Sequence, residues 1–518
     1  MRHIEIYDTT LRDGSQAEGI SFSLFDKLQL ARRLDELGFD FIEGGYPASN
    51  DKDAQFFEKM RENPAKNSKV TAFGMTRRKG MKPQEDEGLR SLIASGAPYV
   101  TVVGKSSSFQ AVEIIRSTRE ENLQMIAETL DYLRGEGCRI IFDAEHFFDG
   151  FRDDPDYSIK VLQTAAEHGA ETLVLCDTNG GAMPEFVAET VTKLRKTLDT
   201  PLGIHCHNDC GLAVANSLAA VDAGASQVHG TINGFGERCG NADLIQVVAA
   251  LALKKNGDYD VLQPASLAHL TELSRFVYEM LNVQIPINAP YVGKSAFAHK
   301  GGMHVSGIAR NKSAYEHIDP ETVGNERRIL VSELSGRSNI VALTQKVNQP
   351  ADLVLTQKIL DEVVERENDG YQYEAADGSF ELLVKRCAGT FVPHFEKLNY
   401  HIIVESNERG VLETEGTVKI KIGDMIRHEV AEGDGPIDAL DAALRKALLP
   451  SYPELNDVKL IDYKVRVINS EAATAAGVRV VIETKDNDST WGTVGVSTNI
   501  VEASWLALVD SIEYKLNK

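Results

Sequence analysis

Ile4–Glu43 reads IEIYDTTLRDGSQAEGISFSLFDKLQLARRLDELGFDFIE. A short β-prone run, Ile4–Tyr7, leads through a polar loop into Ser23–Leu37, whose apolar residues fall at Leu24, Leu28, Ala31 and Leu34. Spacings of three and four put those side chains on one helical face. A second short run, Phe39–Glu43, follows at once. Strand, helix and strand in this order form one crossover unit.

The unit recurs outward from this stretch. Further strand-like runs lie at Val70–Phe73, Val100–Val103, Arg139–Phe142, Thr172–Cys176, Leu202–His205 and Gln227–Thr231, with helical stretches such as Ala127–Arg134 between them. Each interval averages about 32 residues, the length of a strand, a crossover helix and two loops. Eight such units predict an α/β fold, a (β/α)8 TIM barrel over residues 1–264, rather than an open doubly wound sheet. In such a barrel the chemistry gathers where strands end and the following loops begin.

Beyond the barrel the pattern changes. Gly257–Pro264 reads as a linker, and 265–370 as mainly helical linker and lid subdomains with Pro and Gly breaks. Its expected helices are Ala265–Val283 and Ala351–Glu367, the latter preceded by Asn348-Gln349-Pro350. The polar run NDGYQYEAADGS, 368–379, marks a boundary. Residues 379–518 then read as three strands and a helix, twice over: an α+β regulatory domain built as a double β3α unit. Its strands are expected at Tyr400–Glu405, Thr417–Ile422, Ile426–Val430, Val458–Val467, Gly477–Ile482 and Trp491–Val496, and its helices at Pro436–Ala447 and Val501–Lys515.

Composition narrows the function. The 518 residues carry 55 Lys+Arg against 77 Asp+Glu, a net charge of −22. An acidic surface argues against nucleic acid or an anionic membrane as the main partner. No apolar run is long enough to span a membrane, and Met1–Asp8 reads as a charged strand rather than a signal peptide. Six cysteines with no CxxC pair read as reduced thiols, which places the chain in the cytoplasm.

The residues with the clearest chemistry are His205-Cys206-His207-Asn208-Asp209. On a strand, residues two apart share a face, so two imidazoles converge at the end of strand seven while Cys206 turns away. Asp13, just past strand one, is their barrel neighbour, and Asn241 offers an amide oxygen. Two histidines, a carboxylate and an amide suit Mn²⁺, Mg²⁺, Co²⁺ or Zn²⁺. The rival set, Cys176, Cys206, Cys210 and Cys239, fits no structural zinc spacing. Arg12 supplies a fixed cation where charge develops on a carbonyl oxygen; its bland alternative is an ion pair with Asp8 or Asp13. Glu145, closing strand five, can accept a proton. Thr178, after strand six, can bind a carboxylate or simply cap a turn. Gly234–Asn241 spaces its glycines as GxGxxxG after strand eight, so neither a dinucleotide fingerprint nor a Walker motif is present. Lys105 is the nearest candidate for a Schiff base.

DTTLRDGSQ, DAEHFFDG, CDTNGG, HCHNDCGLAVANSLAAVDAGASQVHGTINGFGERCGN and AFAHKGGMHVSG together resemble the α-isopropylmalate, homocitrate and citramalate synthase family. These are acyl-CoA-dependent condensing enzymes on a metal-dependent barrel shared with 3-hydroxy-3-methylglutaryl-CoA lyase. GDGPIDAL and GTVGVSTNIVEASWLALVDSIEYKL resemble the family's allosteric domain. The wording of DTTLRDGSQAEGISFS is closest to the pyruvate-using, citramalate-forming members. The resemblance implies a metal held by Asp13, His205, His207 and Asn241, a catalytic Arg12 and Glu145, and Thr178 on the oxo-acid carboxylate. It also implies His304 and Tyr315 as catalytic linker residues. Acetyl-CoA is the implied co-substrate, isoleucine the implied feedback inhibitor and a homodimer the implied assembly. One departure stands out: His304-Val305-Ser306-Gly307 replaces the His-Gln-Asp of isopropylmalate synthases. A lyase on the same barrel and a small-molecule sensor are the alternatives from other classes; a lyase has no need of 379–518, and a sensor no need of an intact catalytic set.

Overall fold

The computed structural model describes residues 1–330, 353–406, 412–468 and 476–518. All eight expected barrel strands are present: β1 Glu5–Asp8, β2 Phe41–Gly45, β3 Lys69–Met75, β4 Tyr99–Lys105, β5 Arg139–Glu145, β6 Ala170–Asp177, β7 Leu202–Cys206 and β8 Gln227–Gly230. They pair in parallel, in order, as a closed barrel. The seam is β1 against β8, with Tyr7 opposite His229 and Asp8 opposite Gly230.

The opening stretch folds as its residues dictate. Ser23 caps the helix Leu24–Leu37 by accepting from Asp26 N–H, while Asp26 accepts from Ser23 N–H in return. Gly38, at φ 83°, stops the helix in the left-handed conformation that costs glycine least. Leu30, Ala31 and Leu34 bury their side chains in the cluster between strands and outer helices.

Alternation then sorts the strand residues. Ile6, Ile42, Val70, Val100, Ile140 and Phe142 join that outer cluster. Tyr7, Phe41, Tyr99, Ile141, Val174 and Cys176 form a separate cluster inside the barrel. Beside them the interior is also polar, with Glu43, Thr101, Asp143, His205 and His229 all buried.

Met1–Phe297 and Ile318–Glu326 form one compact unit. The sequence reading assigns residues from 265 to the linker; here Leu267, Leu270, Leu273 and Val277 bury into the barrel's own cluster. Their spacing makes one apolar stripe, which needs a hydrophobic partner. The expected helix Ala265–Val283 is two helices, Pro264–Leu267 and Leu270–Met280. Within the stretch taken as a linker, Tyr259–Asp260 pairs with Arg2–His3 as a short parallel ribbon.

Ala298–His317 and the described part of Arg327–Lys518 form a second unit. The expected helix from Ala351 runs Leu353–Asn368; 348–352 lie outside the described residues. Two antiparallel sheets follow, β9 Glu396–Ser406, β10 Leu412–Ile422 and β11 Met425–Gly433, then β12 Lys459–Val467, β13 Val478–Lys485 and β14 Thr490–Ser497. Each is followed by a helix, Pro436–Leu448 and Ile500–Leu516, so the double β3α pattern holds. Among the described residues no helix is long and apolar enough to cross a membrane.

A buried ion pair braces the barrel near β2. The Lys27 ammonium contacts Asp53 and donates to Gly44 O at 3.0 Å, while Asp53 accepts from Tyr46 N–H at 3.0 Å. The two side chains are only 2% and 9% exposed. Asp53→Ala strands a buried ammonium and an unpaired N–H, so it is expected to destabilise this unit by about 3–5 kcal/mol. Urea unfolding checks this; a loss below about 1 kcal/mol would class the pair with solvent-screened surface bridges.

Candidate metal centre and barrel mouth

The loop after β1 turns back on itself because Thr9 O accepts from the N–H groups of Arg12, Asp13 and Gly14 at 3.2, 2.9 and 3.1 Å. Asp8 ties the turn by accepting from Thr10 N–H and its hydroxyl at 3.0 and 2.6 Å. Burial pushes the Asp8 carboxyl up to about 7. Thr10 Oγ1 in turn accepts from Ile232 N–H at 2.8 Å, fixing the loop to the end of β8. Asp13 is thereby delivered to β7.

Asp13, His205 and His207 offer three ligand atoms all within 4.8 Å of one another. Asp13 Oδ2 lies 3.2 Å from His205 Nε2. The two imidazole centroids are 5.3 Å apart, as residues two apart on one strand face require. His207 forms a backbone bridge with Asn241, which brings the amide beside it. Among the described residues this is the only such cluster of metal-ligating side chains, so the alternative thiolate set is not assembled.

The donor set fits a divalent cation. Asn241 Oδ1, His205 Nδ1 and His207 Nδ1 are buried without hydrogen-bond partners, the state metal ligation and outer-shell bonds relieve. Burial alone would raise the Asp13 carboxyl, but Arg12 and His205 outweigh it and hold it far below the usual carboxylate range. Burial opposes charge on His205, yet its contact with Asp13 carries the imidazole above its ordinary value. His207 is pushed down to about 4 by burial and by the neighbouring His205. A carboxylate anion and a neutral imidazole are the forms that bind metal.

Arg12 is a fixed cation beside this cluster. Its Nε donates to Glu43 Oε2 at 2.7 Å, its Nη1 lies 3.5 Å from Asp13, and its guanidinium sits 3.9 Å over the Phe73 ring. Asp8 is not its partner. Burial works against the charge, but Glu43 and Asp13 outweigh it and raise the guanidinium further. Glu43 is fully buried and also accepts from Tyr7 OH at 2.6 Å and from the Thr9 hydroxyl. Glu43 lies inside β2 rather than at its end, and the sequence reading does not single it out.

On the opposite wall Glu145 ends β5 and pairs with Lys105 at the end of β4. Thr178 accepts from His146 N–H at 2.8 Å, which joins its hydroxyl to the residue after Glu145. Arg238 links the loops after β7 and β8, donating to Asp209 at 2.8 and 2.9 Å and to Thr178 O at 2.7 Å. The glycines of the loop after β8 serve packing: Gly240 has φ +87° and a side chain there would strike Gly234 O at 2.0 Å. A Cβ on Gly236 would meet Asn241 Nδ2 at 2.1 Å, so this glycine makes room for that amide.

His304 and Tyr315 belong to the second unit. There they meet each other, with ring centroids 4.1 Å apart and planes 23° from parallel.

Three family descriptions match successive parts of the chain: HMGL-like over residues 3–277, homocitrate synthase post-HMGL domain-like over 291–369, and LeuA allosteric (dimerisation) domain over 374–516. The (R)-citramalate synthase of Geobacter sulfurreducens is 49% identical, over 100% of this chain and 98% of its own. That of Aquifex aeolicus is 50% identical, over 99% and 98%. That of Streptomyces coelicolor is 44% identical, over 99% and 96%. With relatives of this identity along the whole length, and the metal-ligand cluster, Arg12 and Glu145 set around one barrel mouth, the chain belongs to the citramalate synthase family of HMGL-like barrel enzymes.

Proposed function

We propose that the chain condenses acetyl-CoA with pyruvate and hydrolyses the product to citramalate and CoA. It is an enzyme of the condensing acyltransferase type, as its family is. The observation that carries the substrate reading is the joint one of full-length identity to citramalate synthases and a chelating site with a fixed cation 3.5 Å from the Asp13 ligand.

A divalent cation held by Asp13, His205, His207 and Asn241 would polarise the carbonyl of a chelating 2-oxo acid. Mn²⁺, Mg²⁺, Co²⁺ and Zn²⁺ all suit these donors. Arg12, immobilised by Glu43, holds its positive charge where the carbonyl oxygen becomes an alkoxide. Because Glu43 and Asp13 fix the guanidinium beforehand, little reorganisation is needed as that charge develops. Thr178 keeps its hydroxyl proton free to donate to the oxo-acid carboxylate, since the oxygen accepts from His146 N–H. Glu145 takes a proton from the weakly acidic methyl of the thioester, and His304 and Tyr315 serve the thioester carbonyl. The six thiols are all free, in keeping with a reducing cytoplasm.

The second unit carries the feedback site in this reading. A cavity of about 630 Å³ lies between the helix Pro436–Leu448 and β12, lined by Ile437, Asp438, Asp441, Arg445, Leu455 and Tyr463. Asp441 Oδ1 is buried there without a partner, while Oδ2 accepts from Arg445 Nε at 2.6 Å. An amino acid's ammonium satisfies that oxygen, and the apolar wall suits a branched side chain such as isoleucine. Exposed Ile403, Ile426 and Val430 share the sheet face turned away from the helix and offer it to a second copy in a homodimer.

Three outcomes are expected. Metal affinity should rise with pH through the elevated range of His205, because its imidazolium must lose a proton to bind, whereas His207, at about 4, is already neutral. Calorimetric titration of metal-stripped protein at pH 6 and pH 8 reads this, and equal affinities would contradict it. Pyruvate should give the highest kcat/KM among 2-oxo acids, with leakage to 2-oxobutanoate because one methylene separates substrates by only about 1–3 kcal/mol. Preference for 2-oxoisovalerate in a thiol-release assay would make the chain an isopropylmalate synthase instead. Filling the cavity with Ile437→Trp should abolish inhibition by isoleucine while uninhibited turnover stays unchanged. Undiminished inhibition would place the effector elsewhere.

A further inference from the structure

Lys105 and Glu145 are register partners at the ends of β4 and β5. Side chains in register on adjacent parallel strands share a face. The parity of β4 and β5 fixes that face: Tyr99 and Ile141, an even number of residues earlier, lie in the interior cluster. Both end residues therefore point into the barrel at its mouth, where the Lys105 ammonium contacts Glu145 Oε2. They are partly shielded, at 16% and 25% exposure, so the pair is less screened than a surface bridge.

The backbone beneath them is held in place. Glu145 O accepts from Ser106 N–H at 3.2 Å and from the Ser106 hydroxyl at 2.6 Å. Lys105 O accepts from Asn122 Nδ2 at 2.8 Å, and Ser106 O from the Ser158 hydroxyl at 2.9 Å. The helix Phe147–Asp153 lies against this corner so closely that a Cβ on Gly150 would come within 2.7 Å of Ser107 Cα. Such a support leaves the two side chains few alternative positions.

We propose that Lys105 is a positioning residue of the condensation site, one that holds the Glu145 carboxylate at the barrel mouth in the orientation from which it accepts a proton. This rests on the reading of Glu145 as the base. An ammonium is a directional donor with three protons, so it fixes one carboxylate oxygen and leaves the other free for substrate.

The test is a double-mutant cycle on the full chain with Lys105→Met, Glu145→Gln and the combination, assayed by CoA release with pyruvate. Lys105→Met should lower kcat by about ten- to a hundredfold, the worth of a charge-assisted hydrogen bond. Lys105→Arg should keep most of the activity. Mn²⁺ binding by metal-stripped protein and the melting temperature should match wild type; if Lys105→Met melts early, Lys105→Gln takes its place in the cycle. Adding Lys105→Met to Glu145→Gln should cost nothing further, because the cation has lost the group it acts through. Losses that multiply in the double variant, or wild-type kcat in Lys105→Met beside an impaired Glu145→Gln, would overturn the role of Lys105 alone. Wild-type turnover in Glu145→Gln would instead overturn the reading of Glu145 as base, and the proposal with it.

Discussion

Closure of the barrel between β1 and β8 is the constraint on which the site depends. Asp13 follows the first strand and His205 ends the seventh, so only a closed ring makes them neighbours. The seam is specific because β1 is matched residue by residue, from Glu5 opposite Gln227 to Asp8 opposite Gly230. The Thr10 hydroxyl then fixes the loop after β1 to Ile232, beyond the end of β8. An open sheet of the same strands would leave Asp13 at one edge and the histidines near the other.

Once closed, the barrel places unlike charges in a poorly solvated interior. Glu43, Arg12 and Asp13 form a chain of alternating sign at the metal-ligand cluster, and Lys105 with Glu145 forms a second pair across the mouth. Buried charge is tolerated only where it is matched and hydrogen-bonded. The hydrogen bonding is not complete: Asp143 Oδ1 and His229 Nδ1, 3.9 Å apart, are buried without hydrogen-bond partners. An all-apolar interior such as the layer of Phe41, Tyr99 and Val174 would be more stable. The polar part of the interior gives up some of that stability for preorganised charge, which is the usual balance at a catalytic site.

The sequence was most legible where a single strand or helix carries its own signal. Eight short runs separated by helical spacing read directly as barrel strands, and His205 and His207 as a pair on one face, because both follow from local periodicity. The double β3α pattern was legible for the same reason. What escaped are contacts set by how strands stagger against one another. Glu43 ends an ordinary apolar run, and only the register of β2 beside β1 reveals it as the anchor of Arg12. Lys105 lies just past the strand-like run Val100–Val103, and only the register of β4 against β5 reveals Glu145 as its partner. The stretch from Gly257 reads as a linker because its turn residues mask the two-residue pairing of Tyr259–Asp260 with Arg2–His3. The stripe of Leu267, Leu270, Leu273 and Val277 was visible as a helix, but its partner surface was not. His304 and Tyr315 were reached by resemblance alone, and no local periodicity forecasts that their rings stack.

The central claim is that a new carbon–carbon bond forms between a thioester methyl and a 2-oxo acid carbonyl at this barrel mouth. The most direct measurement follows a heavy-carbon label placed in the methyl of acetyl-CoA, by NMR, during turnover with pyruvate and a divalent metal. The account requires the label to appear in the methylene of citramalate, one molecule for each CoA released. Label recovered in free acetate, or CoA released without any labelled methylene, would contradict it.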